Sequence, residues 1–189
     1  IGTHALDLTL WMMNNYKPKY VVGNTYHKLA QTENAANAFG PWNPAEFTVE
    51  DSAFGFIVME NGATIYLESS WALNSLDVGE AQTTLHGTQG GADMKDGLRI
   101  NGESDGMMYD KTMVLEPGGV DFYDGSGDDP AYLEAKQWIE SIQNDTEPVV
   151  SPEQALVVTQ ILEAIYQSAK TGAPVYINQH KEELGKILV

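Results

Sequence analysis

The sequence of residues 52–71 is SAFGFIVMENGATIYLESSW, and it carries the clearest local structural signal in the chain. Two runs rich in β-branched and aromatic residues, Ser52–Met59 and Ala63–Trp71, stand on either side of the pair Asn61-Gly62. That pair is typical of a tight turn between antiparallel strands, because such turns need positive φ angles that Asn and Gly adopt readily. The stretch therefore predicts a β-hairpin.

The second run of the hairpin alternates between an apolar face and a mixed face. The apolar face contains Ile65, Leu67 and Trp71. The mixed face contains Thr64, Tyr66, Glu68 and Ser70. An antiparallel sheet whose strands have one apolar and one mixed face packs against other elements on one side only. The pattern predicts a sheet with helices on one face and the other face open.

Helix signals stand at both ends of the chain. Thr3 is a candidate N-cap for a first helix, whose apolar residues recur at helical spacing. Asp129-Pro130 supplies an N-cap and a first-turn proline for a second helix. Ser151 and Gln154 form a capping box that begins the last helix, and Gly172 is positioned to end it.

Shorter strands and loops are predicted for the remaining segments. The strands are Tyr20–His27, Ala81–His86, Leu98–Ile100, Thr112–Leu115 and Val175–Ile177. Residues 32–50 are predicted to form a long loop, a length often associated with function. Residues 87–91, Gly-Thr-Gln-Gly-Gly, are interpreted as a turn, since they lack the Lys-Ser/Thr ending of a phosphate-binding loop. The polar loop Asp121–Asp129 lacks the ligand spacing of a calcium site.

The composition excludes several classes of function. The 189 residues suit one domain, and 27 acidic against 10 basic side chains give a net charge of −17. A surface this acidic repels phosphate backbones and anionic lipids, so neither nucleic acid nor a membrane is expected as a partner. The absence of cysteine fits a cytoplasmic protein. The chain opens on Ile1 rather than Met, and we expect a further segment upstream.

His4 is the strongest catalytic candidate among the four histidines. It falls in the first turn of the predicted first helix, and Asp7 follows three residues later, on the same helix face. Two side chains so placed can reach one ligand. The same residues also fit a helix start without catalytic chemistry, because acidic side chains are common in first turns. The spacing alone leaves both interpretations open.

Residues 1–11, Ile-Gly-Thr-His-Ala-Leu-Asp-Leu-Thr-Leu-Trp, resemble the motif that opens the C-terminal domain of the Gfo/Idh/MocA oxidoreductase family. The family is named for glucose-fructose oxidoreductase, inositol dehydrogenase and a rhizopine-catabolism protein. Its pattern is Asp-x-Gly-x-His-x-x-Asp with a Trp soon after, and its first Asp would stand immediately before Ile1. The matching positions are Gly2, His4, Asp7 and Trp11. The resemblance continues at 49–53, 61–63, 87–90 and 150–172.

The resemblance implies an α+β fold class, an open-faced, mainly antiparallel β-sheet with helices packed on one face. Residues 1–177 would be the substrate-side and oligomerisation domain, and residues 178–189 a C-terminal tail. The family's N-terminal Rossmann domain, which binds NAD or NADP and carries a catalytic Lys in a Glu-Lys-Pro motif, is absent from this chain. No cofactor-binding residue and no metal ligand is therefore expected here, and the isolated chain is expected to be inactive.

The resemblance also implies roles for two residues. His4 matches the family's catalytic histidine, the general acid/base, and with Asp7 it would bind a sugar or polyol substrate. A homodimer or tetramer is expected. Two alternatives remain: a non-catalytic oligomerisation module with an open sheet face, and a relative that uses NAD transiently in glycoside cleavage. For Trp42, Trp71 and Tyr26, which could stack on a sugar ring, packing in a core or interface is the default interpretation.

Overall fold

The computed structural model describes residues 2–33, 40, 42–76, 79, 82–95, 97–113 and 130–177. Its helices are α1 (Thr3–Met13), α2 (Pro130–Asn144) and α3 (Pro152–Thr171), with one 3₁₀ turn at Pro44–Glu46. Its strands are β1 (Pro18–Tyr26), β2 (Ser52–Met59), β3 (Thr64–Ser70), β4 (Thr84–His86), β5 (Gly90–Asp93), β6 (Arg99–Ser104), β7 (Met107–Thr112) and β8 (Val175–Tyr176). The predicted loop at 121–129 and the tail at 178–189 lie outside the described residues.

The described strands form two four-stranded antiparallel sheets. One has the order β3-β2-β1-β8 and the other β4-β5-β6-β7. They belong to two units, the first comprising residues 1–78 and 153–189 and the second residues 79–152. The α+β class and the antiparallel pairing are confirmed. In both sheets the paired strands are consecutive in the chain, except that β8, which follows α3, pairs with β1.

The hairpin forms as its turn residues predict. Gly62 has φ +87° and donates its N–H to the carbonyl of Met59 at 3.0 Å. The Asn61 side chain accepts the N–H of Ala63 at 3.0 Å. Glycine occupies the one position in this turn where a side chain would be strained. The second strand begins at Thr64, one residue later than predicted.

Helices α1 and α3 cover one face of the first sheet. The buried hydrophobic residues that form this core are Leu6, Leu10, Val21, Ile57, Met59, Ile65, Leu67, Val158, Ile161, Ala164 and Ile165. Gly23 and Gly55 are paired across β1 and β2, and a Cβ on either would lie within 2.8 Å of the Ile165 side chain. These two glycines let α3 approach the sheet closely. The predicted apolar face of β3 is confirmed by Ile65 and Leu67, each 7% exposed.

The opposite face of the first sheet carries exposed aromatic and aliphatic side chains. Val22, Phe56 and Tyr66 lie side by side on β1, β2 and β3. Their exposed fractions are 40%, 45% and 65%. We call this row, with Tyr20, Phe54 and Val58 of the same face, the open face.

The turn predicted at 87–91 connects β4 to β5 at residues 87–89, where the N–H of Gly87 donates to the carbonyl of Gly90 at 2.8 Å, but its last two residues begin β5. Gly90 and Gly91 pair with Gly102 and Asn101 of β6. A Cβ at Gly90 would clash with the Asn101 carbonyl, so glycine is needed there for the strands to approach. A glycine-rich strand lacks the β-branched residues that signal a strand in sequence, which is why the turn was predicted two residues too long.

Several predicted boundaries also shift. The residue at the N-cap of α1 is Gly2, with φ +84° and no side-chain cap, so the assignment of Thr3 as N-cap was wrong. Strand β1 starts at Pro18 rather than Tyr20. Strand β7 covers Met107–Thr112, so the strand predicted at 112–115 is displaced, and residues 114–115 lie outside the described part.

Candidate functional site

Helix α1 begins at the end of the first sheet where β3 ends. A Cβ built on Gly2 would lie 3.0 Å from Ser69 Oγ and 3.6 Å from Leu67 Cδ1, so the helix start contacts the last residues of β3. After α1 the chain enters β1 at Pro18, which is paired with Met59 at the other end of the sheet. The helix therefore runs from the end of β3 toward its beginning.

His4 and Asp7 lie on the first turns of this helix. The His4 side chain is exposed and that of Asp7 is half-buried. Residues three apart on a helix are neighbours on its surface, so both side chains can face one ligand. Burial, and secondarily the charge of Asp7, raises the pKa of Tyr16 above its ordinary value of 10.0. The Asp7 carboxylate thus lies within electrostatic range of another side chain of the first unit.

The long loop between β1 and β2 starts from the same end of the sheet. Tyr26, the last residue of β1, is paired with Ser52 at the start of β2, which in turn is paired with Ser70 at the end of β3. The N–H of Asp51 donates to the carbonyl of Tyr26 at 2.8 Å, which closes the base of the loop. The loop and the start of α1 are therefore at one end of the sheet.

The Asp51 carboxylate holds the first part of this loop. It is 1% exposed and accepts N–H groups from Leu29 at 2.8 Å and Ala30 at 3.2 Å. The Ser52 hydroxyl donates to its other oxygen at 3.0 Å. Burial alone would raise the pKa of this carboxyl, but the hydrogen bonds outweigh it and lower the pKa below its ordinary value of 3.8. Asp51 is a buried, ionised anchor for the loop.

Trp42, Phe47 and Trp71 form what we call the aromatic cluster. Their ring centroids are 5.5 Å apart for the two indoles and 4.7 Å apart for Phe47 and Trp71. Trp42 Nε1 donates to the carbonyl of Ala30 at 2.8 Å, and Trp71 Nε1 donates to the carbonyl of Glu50 at 2.7 Å. Both indole N–H groups are satisfied, so the orientation of both rings is fixed.

Glu50 connects the loop to α3. Its side chain is 8% exposed and accepts the hydroxyl of Tyr166 at 2.7 Å. Burial and the adjacent Glu50 carboxylate raise the pKa of Tyr166 to about 12. The Glu50 side chain thus attaches the end of the loop to α3. Asp51 attaches the end of the loop to the beginning of the same loop, through hydrogen bonds to backbone groups.

The sequence singled out His4 and Asp7, and the structure puts them on one helical turn. Packing was the default interpretation of Trp42, Trp71 and Tyr26, and the structure shows the two indoles packed against each other. Tyr26 does pack, 6.0 Å from the ring of Phe54. The sequence signal for the loop anchor was the acidic pair Glu50-Asp51 directly before a strand, since a carboxylate that is buried must be hydrogen-bonded.

The described residues contain neither a candidate metal-binding cluster nor a candidate membrane-spanning helix. No group of three or more His, Asp or Glu side chains in the described ranges is arranged to hold a metal ion. None of the described helices is long and apolar enough to span a bilayer.

Comparison with known proteins gives a consistent family. Residues 1–177 match the profile of the oxidoreductase family, C-terminal alpha/beta domain (GFO_IDH_MocA_C). The chain is 30% identical over 176 residues to a D-glucoside 3-dehydrogenase of Escherichia coli K12, covering 93% of this chain and 47% of that protein. The chain thus spans about half the length of this curated relative.

Solved structures share the fold. An oxidoreductase from Agrobacterium radiobacter, in complex with NAD+, L-tartaric acid and magnesium, superposes with a TM-score of 0.64 at 20% identity, over 95% of this chain and 48% of that one. An aldose-aldose oxidoreductase from Caulobacter crescentus, complexed with glycerol, gives 0.61 at 19% identity, over 93% and 46%. With the profile match over residues 1–177, these findings establish that the chain belongs to the Gfo/Idh/MocA oxidoreductase family and corresponds to its C-terminal α/β domain.

Proposed function

We propose that the chain is the substrate-side domain of an NAD(P)-dependent dehydrogenase that oxidises a hydroxyl group of a sugar or polyol, with His4 as general acid/base and Asp7 as a substrate ligand. The observation that carries the proposal is the pair itself, an exposed imidazole and a half-buried carboxylate on one turn of α1. The 30% identity to a D-glucoside 3-dehydrogenase supports a sugar substrate.

The chemistry assigned to this chain is proton transfer and orientation. The oxidised nicotinamide, when bound, would supply the acceptor for the hydride of the carbinol carbon. The proton of the same hydroxyl passes to the imidazole of His4, and the carbinol becomes a carbonyl. Asp7 accepts a hydrogen bond from a neighbouring hydroxyl, which orients the ring. An imidazole suits the proton transfer because it ordinarily titrates near neutral pH.

The cofactor is assigned to a domain outside this chain. Both described sheets are antiparallel, and the described residues contain no strand, glycine-rich turn and helix of the kind that holds a dinucleotide. The isolated chain should therefore not bind NAD(H) or NADP(H) with micromolar affinity. Calorimetric titration tests this, and a saturable stoichiometric site would contradict it.

The parent enzyme tests the role of His4. His4→Ala should lower kcat by about 10²–10⁴-fold, the usual loss when a general base is removed, while cofactor affinity is retained. His86→Ala is the matched control, because His86 is exposed on β4 in the second unit and should leave kcat unchanged. A His4→Ala enzyme that keeps more than about a third of kcat would remove His4 from the mechanism.

The same assay distinguishes a dehydrogenase from the alternative, an enzyme that cleaves glycosides with transient use of NAD. A dehydrogenase accumulates reduced cofactor in proportion to product. An enzyme that uses NAD transiently for glycoside cleavage releases an aglycone with no net reduction. Absorbance of the reduced nicotinamide, read beside chromatography of the products, distinguishes the two.

The open face supports a homodimer or tetramer in addition to the catalytic role. Its central row, Val22, Phe56 and Tyr66, is exposed and apolar or aromatic, and contiguous patches of this kind usually mark interfaces. Pairing of identical faces about a two-fold axis is the commonest arrangement. We expect sedimentation at micromolar concentration to give a dimeric or tetrameric mass, and Phe56→Arg to shift it toward the monomer. A monomeric wild type at low and high salt would contradict this.

A further inference from the structure

We propose that the aromatic cluster is the wall on which the sugar ring of the substrate stacks, and that Asp51 is the positioning residue that fixes this wall. The inference rests on the proposed function, since it assigns a further binding surface to the same substrate. It assigns specificity to Trp42 and Trp71, beyond the roles already given to His4 and Asp7.

The first argument is placement. Gly2, two residues before His4, contacts Ser69 near the end of β3. Trp71 is the first residue after β3 and follows Ser69 by two residues, so it stands at the end of the sheet where α1 starts. Trp42 packs edge-on against Trp71. The aromatic cluster is therefore at the end of the sheet from which His4 projects.

The second argument is burial. None of the three rings belongs to the hydrophobic core of the first unit or to the side chains packed against it. Trp42, Phe47 and Trp71 are all half-buried, so each keeps part of its surface open to solvent. Rings that only fill a core lose nearly all of their exposed surface. These rings keep an accessible surface outside the core, as a ligand wall requires.

The third argument is rigidity. The indole N–H groups of Trp42 and Trp71 are both committed to backbone carbonyls, at 2.8 Å and 2.7 Å. The rings therefore present fixed apolar faces rather than hydrogen-bond donors. An aromatic face carries negative charge density, and the C–H groups on one side of a pyranose ring complement it. A wall held before the substrate arrives loses little conformational entropy on binding.

Asp51 connects the two tryptophans through the backbone. Its carboxylate holds Ala30 by the N–H, and the carbonyl of Ala30 holds Trp42. Its own carbonyl accepts the backbone N–H of Trp71 at 3.1 Å. The orientation of both rings thus depends on a residue that touches neither of them through its side chain.

Steady-state kinetics of the parent enzyme with a methyl glucoside test the wall. Trp42→Ala should raise KM about tenfold, as loss of a stacking contact predicts, with kcat within about threefold. Trp42→Phe keeps a ring and should raise KM less. Trp138→Ala is the matched control, because this exposed indole on α2 lies in the second unit and should leave KM unchanged.

A spectroscopic readout separates stacking from a structural effect. The glucoside should change the fluorescence of the parent enzyme saturably, and Trp42→Phe should remove the part of this change that Trp42 contributes. Asp51→Asn should weaken this change and raise KM, because the loop that carries Trp42 loses its charged anchor.

The outcomes distinguish this inference from the proposed function. If His4 is essential but Trp42→Ala leaves KM within about twofold and Trp42 fluorescence does not respond to the glucoside, the stacking proposal is wrong and the proposed function stands. If Trp42→Ala fails to fold, Trp42→Phe and the fluorescence titration decide the question. If the enzyme oxidises no glycoside, free sugar or polyol, the proposed function fails and the wall fails with it.

Discussion

The described part of each unit contains a four-stranded sheet, but the two units bury very different amounts of apolar surface. Every buried hydrophobic side chain among the described residues belongs to the first unit. In the second unit the described strands carry half-exposed or exposed side chains, and Met107 and Met108 on β7 are 70% and 82% exposed. The first unit therefore has a core of its own, whereas the described part of the second unit is held by strand pairing and local contacts.

Helices α2 and α3 show the same difference. Both carry apolar residues at helical spacing, yet four hydrophobic residues of α3 are buried, whereas the large apolar side chains of α2 are exposed. Ile161 on α3 is 0% exposed, while Ile142 on α2 is 68% exposed. Amphipathic spacing predicts that a helix forms, but it does not tell which surface, if any, covers the helix.

The largest expected effect is a cavity in the core of the first unit. Ile161→Ala should lower the free energy of unfolding by about 2–5 kcal/mol, because the deleted methyl groups leave a void that the packed sheet cannot fill. The matched change Ile142→Ala on α2 should change it by less than about 0.5 kcal/mol. Urea denaturation followed by circular dichroism measures both. Equal losses would show that α2 is as firmly packed as α3, and the contrast between the units would be wrong.

The next effect concerns the Asp51 anchor and pH. Because the folded-state pKa of Asp51 is lowered, its contribution to stability is fully present above its ordinary value of 3.8 and is lost as pH falls through the lowered value. Asp51→Asn should cost about 1–3 kcal/mol at neutral pH, since buried N–H donors lose a charged acceptor. The variant's unfolding free energy should also fall less steeply on acidification. A variant with an unchanged acid profile would mean that Asp51 is not ionised in the folded protein.

The fold was largely predictable where the signal is local. Asn61-Gly62 determines a turn by its own φ requirement, and the alternation after it tells which face is buried. Strand β5 was not predictable, because Gly90 and Gly91 form a strand only through the close approach of β6. Local rules identify elements, whereas close contacts between distant segments need the structure.

The candidate site also has one part that the sequence predicts and one part that only the structure reveals. His4 and Asp7 are three residues apart, so one helical turn and one family motif are enough to bring them together. The network of Asp51, Ala30, Trp42 and Trp71 spans four separate parts of the chain, and no periodicity connects them. A buried carboxylate before a strand implies partners, but only the structure identifies the loop residues that supply them.

A smaller effect is expected at high pH in the contact between α3 and the loop. The pKa of Tyr166 is raised from 10.0 to about 12, so its contribution is fully present below pH 10 and is lost as pH rises through about 12. Tyr166→Phe should cost about 0.5–1.5 kcal/mol at neutral pH, toward the lower end because the ring is 45% exposed. The variant should lose less stability than the wild type between pH 10 and 12. Denaturant titrations across that range check the slope, and parallel curves would contradict the assignment.

The smallest effect is expected at the ion pair of the second unit, which contrasts with Asp51. Arg99 on β6 donates to both carboxylate oxygens of Asp93 on β5, from Nε at 2.7 Å and from Nη2 at 2.6 Å. This hydrogen bonding lowers the pKa of Asp93, but both side chains remain partly exposed, and exposed pairs add little to stability. Asp93→Asn should therefore shift the urea midpoint less than Asp51→Asn does.

High salt should increase the difference between the stability effects of replacing Asp51 and Asp93. The Debye length falls from about 10 Å at 0.1 M salt to about 3 Å at 1 M, which screens the exposed pair but not a carboxylate held by buried N–H groups. The effect of Asp93→Asn should shrink at high salt, whereas that of Asp51→Asn should persist. If both effects shrank alike, the Asp51 anchor would be accessible to solvent ions, and the buried network that fixes the aromatic cluster would lose its support.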